Sequence, residues 1–357
     1  MTIPAIDRLR FFLRPPGRGL YTHSTGGGYA QQLLRKLYRT EDDAEAQRLW
    51  EDSLQKVRRA EALLFAIPSD SGASIMRGAN FGPIGVREAY LTKYKEFPKR
   101  VVDIGDVIVI PQLLHDDMLN DRQKAASQVA LYGKELGLPV SPLSIAEAVY
   151  DCIIELNPRA RVFMIGGDHS VSWPPMVYCH KKYGKEFGVL HFDAHTDLLD
   201  TRLGVKICFA TWAYHALKLM EPYHLAQIGV RTSARKKEEW MKLHPILQVW
   251  ANEVPGNEEA VIKQVVAYFE KSNIKHLYIT NDIDGTDASL APATGTPEPN
   301  GLSPQFVKAL IGEAKKKFEL IGGDVVEVAP PLSGERDYAN ERTCLLAAEY
   351  LDTLLQI

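Results

Sequence analysis

From Ala62 onward the chain is a succession of short apolar runs, each closed by a polar or glycine-rich turn and followed by a stretch of amphipathic character. That alternation constrains the fold most, because strand-length apolar runs separated by helices stack as a largely parallel sheet covered on its faces. The predicted strands are Leu63 to Ile67, Val101 to Ile104, Arg161 to Ile165, Val189 to Phe192, Leu225 to Val230, Leu277 to Thr280 and Glu319 to Gly322. With 357 residues, 45% of them hydrophobic, the chain can bury such a sheet in one large domain or two small ones. Ahead of the sheet, residues 29 to 60 place Leu33, Leu34 and Leu37, then Leu49, Trp50 and Leu54, at helical spacing, which predicts one or two helices. Residues 1 to about 27 read as irregular, ending in a turn at Gly26-Gly27-Gly28.

Charge and cysteine usage exclude several function classes. Forty-two basic residues against 45 acidic ones leave a formal charge of -3, so no excess positive field exists for a nucleic-acid backbone. Cys152, Cys179, Cys208 and Cys344 are widely spaced and form no CxxC pair, which argues against a zinc ribbon or a disulfide framework and for reduced thiols in a cytoplasmic protein. The run Phe11-Phe12-Leu13 is too short for a signal segment, and no stretch approaches the roughly 18 apolar residues of a membrane span.

The chemistry sits just after three predicted strands, where open α/β sheets bind ligands. Asp193, His195 and Asp197 follow one strand at i, i+2 and i+4, and extended backbone would aim all three to one side. Asp282 and Asp284 follow another, and His169 follows the glycine pair Gly166-Gly167. Four carboxylates and two imidazoles exceed what one cation needs and match two divalent ions, with an oxygen and nitrogen shell that suits manganese. Such a pair acidifies a water towards neutrality, so hydrolysis of an unreactive C–N or P–O bond is the implied chemistry. Asp-x-His or Asp-x-Asp alone is usually a solvated loop or a helix cap; three clusters, each behind a strand, are not. His191 shares the parity of the ligands and is read as supporting or packing against them rather than as a seventh. His115-Asp116-Asp117 follows no strand and is read as a solvated loop.

These segments, Gly166-Gly167-Asp168-His169-Ser170, Asp193-Ala194-His195-Thr196-Asp197 and the run from Asp282-Ile283-Asp284 to Pro297, resemble the three signatures of the ureohydrolase family, which includes arginase and agmatinase. Ser69 to Gly72, Arg77 to Pro83 with Val86-Arg87-Glu88, and Asp324-Val325-Val326-Glu327-Val328 resemble the family's opening and closing segments. The resemblance implies an arginase-like, three-layer α/β domain over residues 62–357, mainly parallel; residues 1–61 have no counterpart in it and are read as a helical N-terminal extension. It further implies two manganese ions bound by His169, Asp193, His195, Asp197, Asp282 and Asp284, with nickel or cobalt as alternatives. Cleavage of a small cationic guanidino substrate to urea and an amine is the implied activity, in a homo-oligomer, trimer or hexamer. Asp197 and Glu327 are the expected catalytic residues, Glu327 also orienting the guanidinium.

Two departures bear on the substrate. Where the agmatinase-like pattern has a proton-shuttling histidine, the segment Cys208-Phe209-Ala210-Thr211 carries Phe209, leaving His215 or a water chain to move that proton. Where the arginase branch carries an asparagine for the amino-acid end of its substrate, this chain has Leu199. Leu199, Phe209 and Trp212 are therefore expected to line the substrate pocket, favouring agmatine-like compounds, guanidine or small alkylguanidines over arginine. The alternatives are a formimino-compound hydrolase and a catalytically silent metal-binding partner subunit. A metallophosphoesterase is disfavoured by the missing Gly-His-x-His, and Cys208 is expected to be a buried filler rather than a nucleophile.

Overall fold

A computed structural model describes residues 3–20 and 27–357. Among these residues the strands are β1 (Leu13–Arg14), β2 (Ala62–Ala66), β3 (Val101–Val107), β4 (Arg161–Ile165), β5 (Phe187–Phe192), β6 (Leu225–Val230), β7 (Leu247–Trp250), β8 (His276–Asp282) and β9 (Glu319–Val326). They form one sheet in the order β1-β3-β2-β4-β9-β8-β5-β6-β7. Every pairing is parallel except that of β1 with β3.

The central strands are apolar on both faces because both faces are covered. Leu63 and Phe65 of β2, Val162 and Met164 of β4 and Val189 of β5 enter one apolar layer. Their neighbours Ala62, Leu64, Phe163, Ile165, Leu190 and Phe192 enter the other, as a two-residue period demands. The helices Pro142–Leu156 and Trp173–Tyr183 close the first layer through Val149, Tyr150, Met176 and Tyr178. Gly82–Tyr94, Pro304–Lys317 and Arg342–Leu355 close the second through Val86, Phe306 and Leu351. The result is the expected single three-layer α/β domain.

The N-terminal reading needs correction. Ala5–Phe12 is a helix, and Ala5, Leu9 and Phe12 are buried at i, i+4 and i+7. The apolar run does not end there: Leu13 and Arg14 pair with Val107 and Asp106 at the sheet edge. Gly26 lies outside the described residues, whereas Gly27 and Gly28 open the helix Gly27–Tyr38. A second helix, Asp43–Lys56, starts where the Asp42 carboxylate accepts the backbone N–H groups of Ala44 and Glu45. The segment is tied to the sheet through a fully buried Arg87, which pairs with Asp103 at 2.8 Å and Asp106 at 2.5 Å. Asp106 also accepts the backbone N–H of Gly17 at 2.7 Å. The strand β7 was hidden in the sequence by Gln248, a polar residue buried because its side-chain amide donates to Gln227 Oε1 at 2.8 Å. No helix of the described residues is long and apolar enough to cross a membrane.

Candidate metal centre

The strands β4, β9, β8 and β5 are neighbours in the sheet, so the loops leaving their carboxyl ends meet over one locus. After β4 the chain passes so close to the β2 loop that a Cβ on Gly167 would sit 1.7 Å from the Ser69 carbonyl oxygen, which explains the glycine there. Asp168 then caps a short 3-10 turn by accepting the N–H of Ser170 at 2.8 Å, and also takes the N–H of Gly72 at 3.0 Å. The turn aims His169 inward, and its backbone N–H donates to Glu327 Oε1 at 2.8 Å.

The structure brings all six proposed ligands together, in two groups rather than one. His169 Nδ1 faces Asp193 Oδ2 at 3.1 Å, Asp197 Oδ2 at 3.2 Å and Asp282 Oδ2 at 3.1 Å. His195 Nδ1 faces Asp193 Oδ1 at 3.3 Å and Asp284 Oδ2 at 3.1 Å. Asp193 thus offers one oxygen to each group. Asp193, His195 and Asp197 do not converge on one locus from extended backbone: Asp197 reaches the His169 group from a backbone φ of +50°, while His195 serves the other group. Glu327 also sits at positive φ, +61°, and two strained non-glycine residues among the proposed functional set are a mark of a site held by its surroundings.

The donor set fits divalent cations. His169 Nδ1 is buried and makes no hydrogen bond although three carboxylate oxygens ring it. Burial opposes charging this imidazole, but Asp193, Asp197 and Asp282 outweigh that and hold its pKa well above the usual range. His195 is driven up to about 12, Asp284 and Asp193 overcoming its desolvation. Asp282 is pushed well above the carboxylate range by burial and by the charges of Asp284 and Asp193. The carboxylates that raise these imidazole pKa values carry the negative charge that bound cations would offset.

Around the ligands lies a set of supports. His191 Nε2 meets Asp193 Oδ2 at 2.8 Å, and Gln227 Nε2 approaches His191 Nδ1 at 3.1 Å. The Thr296 hydroxyl donates to Asp284 Oδ2 at 2.7 Å. Beneath His169, Nε2 meets Thr280 Oγ1 at 3.1 Å, and that hydroxyl donates to Asp324 Oδ1 at 2.7 Å. Sequence reasoning missed Gln227, Thr296, Thr280 and the role of Asp324. Thr280 alone left a usable signal, since it stands two residues before Asp282 and so on the same side of β8.

Of the proposed pocket residues the structure gathers fewer. Trp212 is fully buried; its indole N–H donates to Asp197 Oδ2 at 2.8 Å and its ring lies 4.7 Å from that of His169. It packs against His169 and braces Asp197. His215 Nε2 is engaged by the Asp200 carbonyl at 2.9 Å, and burial lowers its pKa, so it is not presented to the ligands. Leu199 is 40% exposed, and Phe209 is half-buried with the Arg202 guanidinium 5.1 Å over its ring. Cys208 is buried and its thiol pKa is raised by desolvation, as expected of a filler. His115 caps a short 3-10 turn, Asp116–Met118, and Asp116 is not merely solvated: its carboxylate accepts the N–H of Ser141 at 2.8 Å.

A sequence model described as the Arginase family matches residues 60–356. Among similar proteins, an agmatinase of Bacillus subtilis (strain 168) is 28% identical over 301 residues, covering 84% of this chain and 94% of its own length. An agmatinase of Neisseria meningitidis serogroup C (strain 053442) is 30% identical over 285 residues, covering 76% of this chain and 80% of its own. The crystal structure of a hypothetical agmatinase from Burkholderia thailandensis superposes with a TM-score of 0.64 at 27% identity, covering 84% of this chain and 86% of that one.

Proposed function

The chain belongs to the arginase family, hydrolases of guanidino C–N bonds, and on that premise we propose that it converts a guanidino compound to urea and an amine or ammonia at two divalent cations. The observation that carries the reading is the Asp193 carboxylate, one oxygen turned to the His169 group and the other to the His195 group, as a shared ligand requires. His169, Asp193, Asp197 and Asp282 would hold one cation; His195, Asp193 and Asp284 would hold the other. Bound there, the cations supply an acidified water as nucleophile. Manganese suits the oxygen-rich set, and nickel or cobalt would also fit.

The chain's own residues do the rest. Glu327 is fixed through Oε1 by the His169 N–H, while Oε2 lies toward Gly295, where an added Cβ would still stand 3.7 Å away. Burial and the neighbouring Asp168 charge raise its pKa well above the carboxylate range, so a guanidinium would relieve a crowded carboxylate while being oriented by charge-assisted hydrogen bonds. The Trp212 N–H holds Asp197 in place. With His215 turned to Asp200, proton transfer to the leaving amine is assigned to water. Leu199 argues against arginine; the burial of Trp212 removes one support for a preference for guanidine or small alkylguanidines, leaving agmatine-like and other guanidino compounds in play.

We take residues 1–61 as an N-terminal extension, supported by a family match that begins at residue 60. A homo-oligomer, trimer or hexamer, is favoured by apolar residues left open on the surface, Ile75 and Leu203 among them. Four free buried thiols accord with a cytoplasmic protein. Urea release from a guanidino panel, on protein loaded separately with manganese, nickel and cobalt, tests the function. Turnover of at least one member that disappears on chelation is expected; no urea under any loading contradicts it and favours the silent-partner reading that Phe209 suggests.

A further inference from the structure

Arg231 directly follows β6 and turns its guanidinium to the loop that carries Asp284. The acceptors are all main-chain carbonyls. Gly229 on β6 lies at 3.1 Å; Asp284 at 2.7 Å and Gly285 and Thr286 at 3.2 Å stand in the turn after β8; Glu298 at 2.8 Å and Pro299 at 2.9 Å belong to the loop that follows. The N–H groups of a guanidinium lie in one rigid plane, and here they reach six carbonyls from three separate segments. The approach is close: a Cβ on Gly301 would stand 2.7 Å from Arg231 Nη2 and 2.5 Å from the Asp287 nitrogen. The main chain joins a fourth segment, since the N–H groups of Arg231 and Thr232 both donate to the Ala194 carbonyl, at 2.9 and 3.1 Å.

These segments serve one side of the metal centre. Ala194 stands between Asp193 and His195, and its N–H donates to Asp284 Oδ1 at 3.0 Å. Thr296, in the loop held by Glu298 and Pro299, donates to Asp284 Oδ2 at 2.7 Å, the oxygen that faces His195 Nδ1 at 3.1 Å. Glu298 Oε1 lies 3.9 Å from the other ring nitrogen, His195 Nε2. None of the six carbonyls belongs to a residue of the His169 group, which is braced instead by Trp212 on Asp197 and by Thr280 on His169. The His195 group is also the barer one: it has three side chains against four, and the His195 side chain is 26% exposed where that of His169 is 1%.

Resting on the two-cation reading of the site, we infer that Arg231 is a positioning residue for the His195 group. By clamping the segments of Ala194, Asp284 and Thr296 together it sets the affinity of the second cation, and the centre loads in order, the His169 group first. With fewer side chains and solvent on one side, that cation is held only as well as Asp284 and His195 are aimed. A lysine at this position would bring a point charge without the planar fork and could not bridge three segments at once.

Manganese titration of the metal-free, full-length protein tests this, read by calorimetry and by the electron paramagnetic resonance of the bound ions. The proteins compared are wild type, Arg231→Lys, Arg231→Gln and Thr296→Val. Wild type should bind two equivalents, the second more weakly than the first. Both Arg231 variants should weaken the second equivalent about 10- to 100-fold and leave the first nearly unchanged, so that a spin-coupled pair gives way to an isolated ion. Thr296→Val cuts the last link while leaving Arg231 in place; it should reproduce the selective loss, and combined with Arg231→Lys it should cost less than the sum of the two. Folded Arg231 variants that weaken both equivalents alike, or neither, overturn the inference, since a purely structural arginine would lower stability without favouring one cation. If neither Arg231 variant folds, Thr296→Val decides: selective loss of the second equivalent upholds the clamp, and an unchanged one overturns it. A wild type with a single equivalent overturns the two-cation reading itself, whereas two equivalents with unselective variants overturn the role of Arg231 alone.

Discussion

Replacing Thr280 by valine isolates the support beneath His169, because it removes one hydroxyl while nearly keeping the side-chain volume. Thr280 is fully buried, and its Oγ1 joins Asp324 Oδ1 at 2.7 Å to His169 Nε2 at 3.1 Å. Asp324 keeps the Tyr278 hydroxyl at 2.8 Å and Ser172 at 3.1 Å, so the loss is partial for the carboxylate and complete for the imidazole nitrogen. A hydrogen bond to a buried charged group contributes about 1.5 to 3 kcal/mol, and an orphaned buried nitrogen costs about 1 kcal/mol more, so Thr280→Val should destabilise the metal-free protein by about 2.5 to 4 kcal/mol. The untethered ring should weaken the cation of the His169 group by about 10- to 100-fold and leave that of the His195 group nearly untouched. Denaturant unfolding and metal titration of wild type, Thr280→Val and Thr280→Ser measure both effects, the serine variant retaining the hydroxyl. A valine variant within about 0.5 kcal/mol of wild type, with unchanged metal affinity, would refute the reasoning.

Glu327→Gln should bind both cations and unfold normally, yet lose about 100-fold or more in kcat/KM on guanidino substrates; wild-type kinetics would remove Glu327 from the site. In the metal-free protein the flanking carboxylates keep His169 and His195 protonated at neutral pH, the latter with a pKa of about 12. Each must shed that proton to ligate, as must Asp282, whose pKa burial and its acidic neighbours push up, so cation binding should release at least two protons at pH 7 and tighten as pH rises; calorimetry in buffers of different ionisation enthalpy would expose the contrary result, no release. Asp106→Ala leaves the buried Arg87 with Asp103 alone and the Gly17 N–H without its acceptor, and should cost about 3 to 5 kcal/mol in chemical denaturation. A near-neutral variant would mean that this ion cluster does not secure the N-terminal segment.

What the sequence revealed and what it hid follow from the range of each signal. Strands such as β2 and β4 were legible because burial on both faces writes an unbroken apolar run. β7 was not, since Gln248 is made acceptable only by Gln227 on the adjacent strand. The helix Ala5–Phe12 was obscured because its buried Ala5, Leu9 and Phe12 are interspersed with charged residues and its end runs directly into β1. At the site, the ligand-type residues stood out by clustering behind strands. Their division into two groups did not, because it depends on the positive φ of Asp197, which nothing local requires of an aspartate. The burial of Trp212 was hidden for a similar reason: which face of the helix Trp212–Ala216 meets Asp197 is fixed only by the packing of that helix against Trp173–Tyr183.

The most direct measurement is the metal content of purified protein loaded with manganese and freed of excess, alongside Asp193→Ala and Asp284→Ala. A carboxylate shared between two cations predicts two equivalents per wild-type chain. Asp284→Ala removes an oxygen from the His195 group only and should retain about one equivalent, whereas Asp193→Ala strips both groups and should retain little of either. A wild-type chain holding a single equivalent, or an Asp193→Ala variant that still holds two, would contradict the binuclear centre on which the account rests.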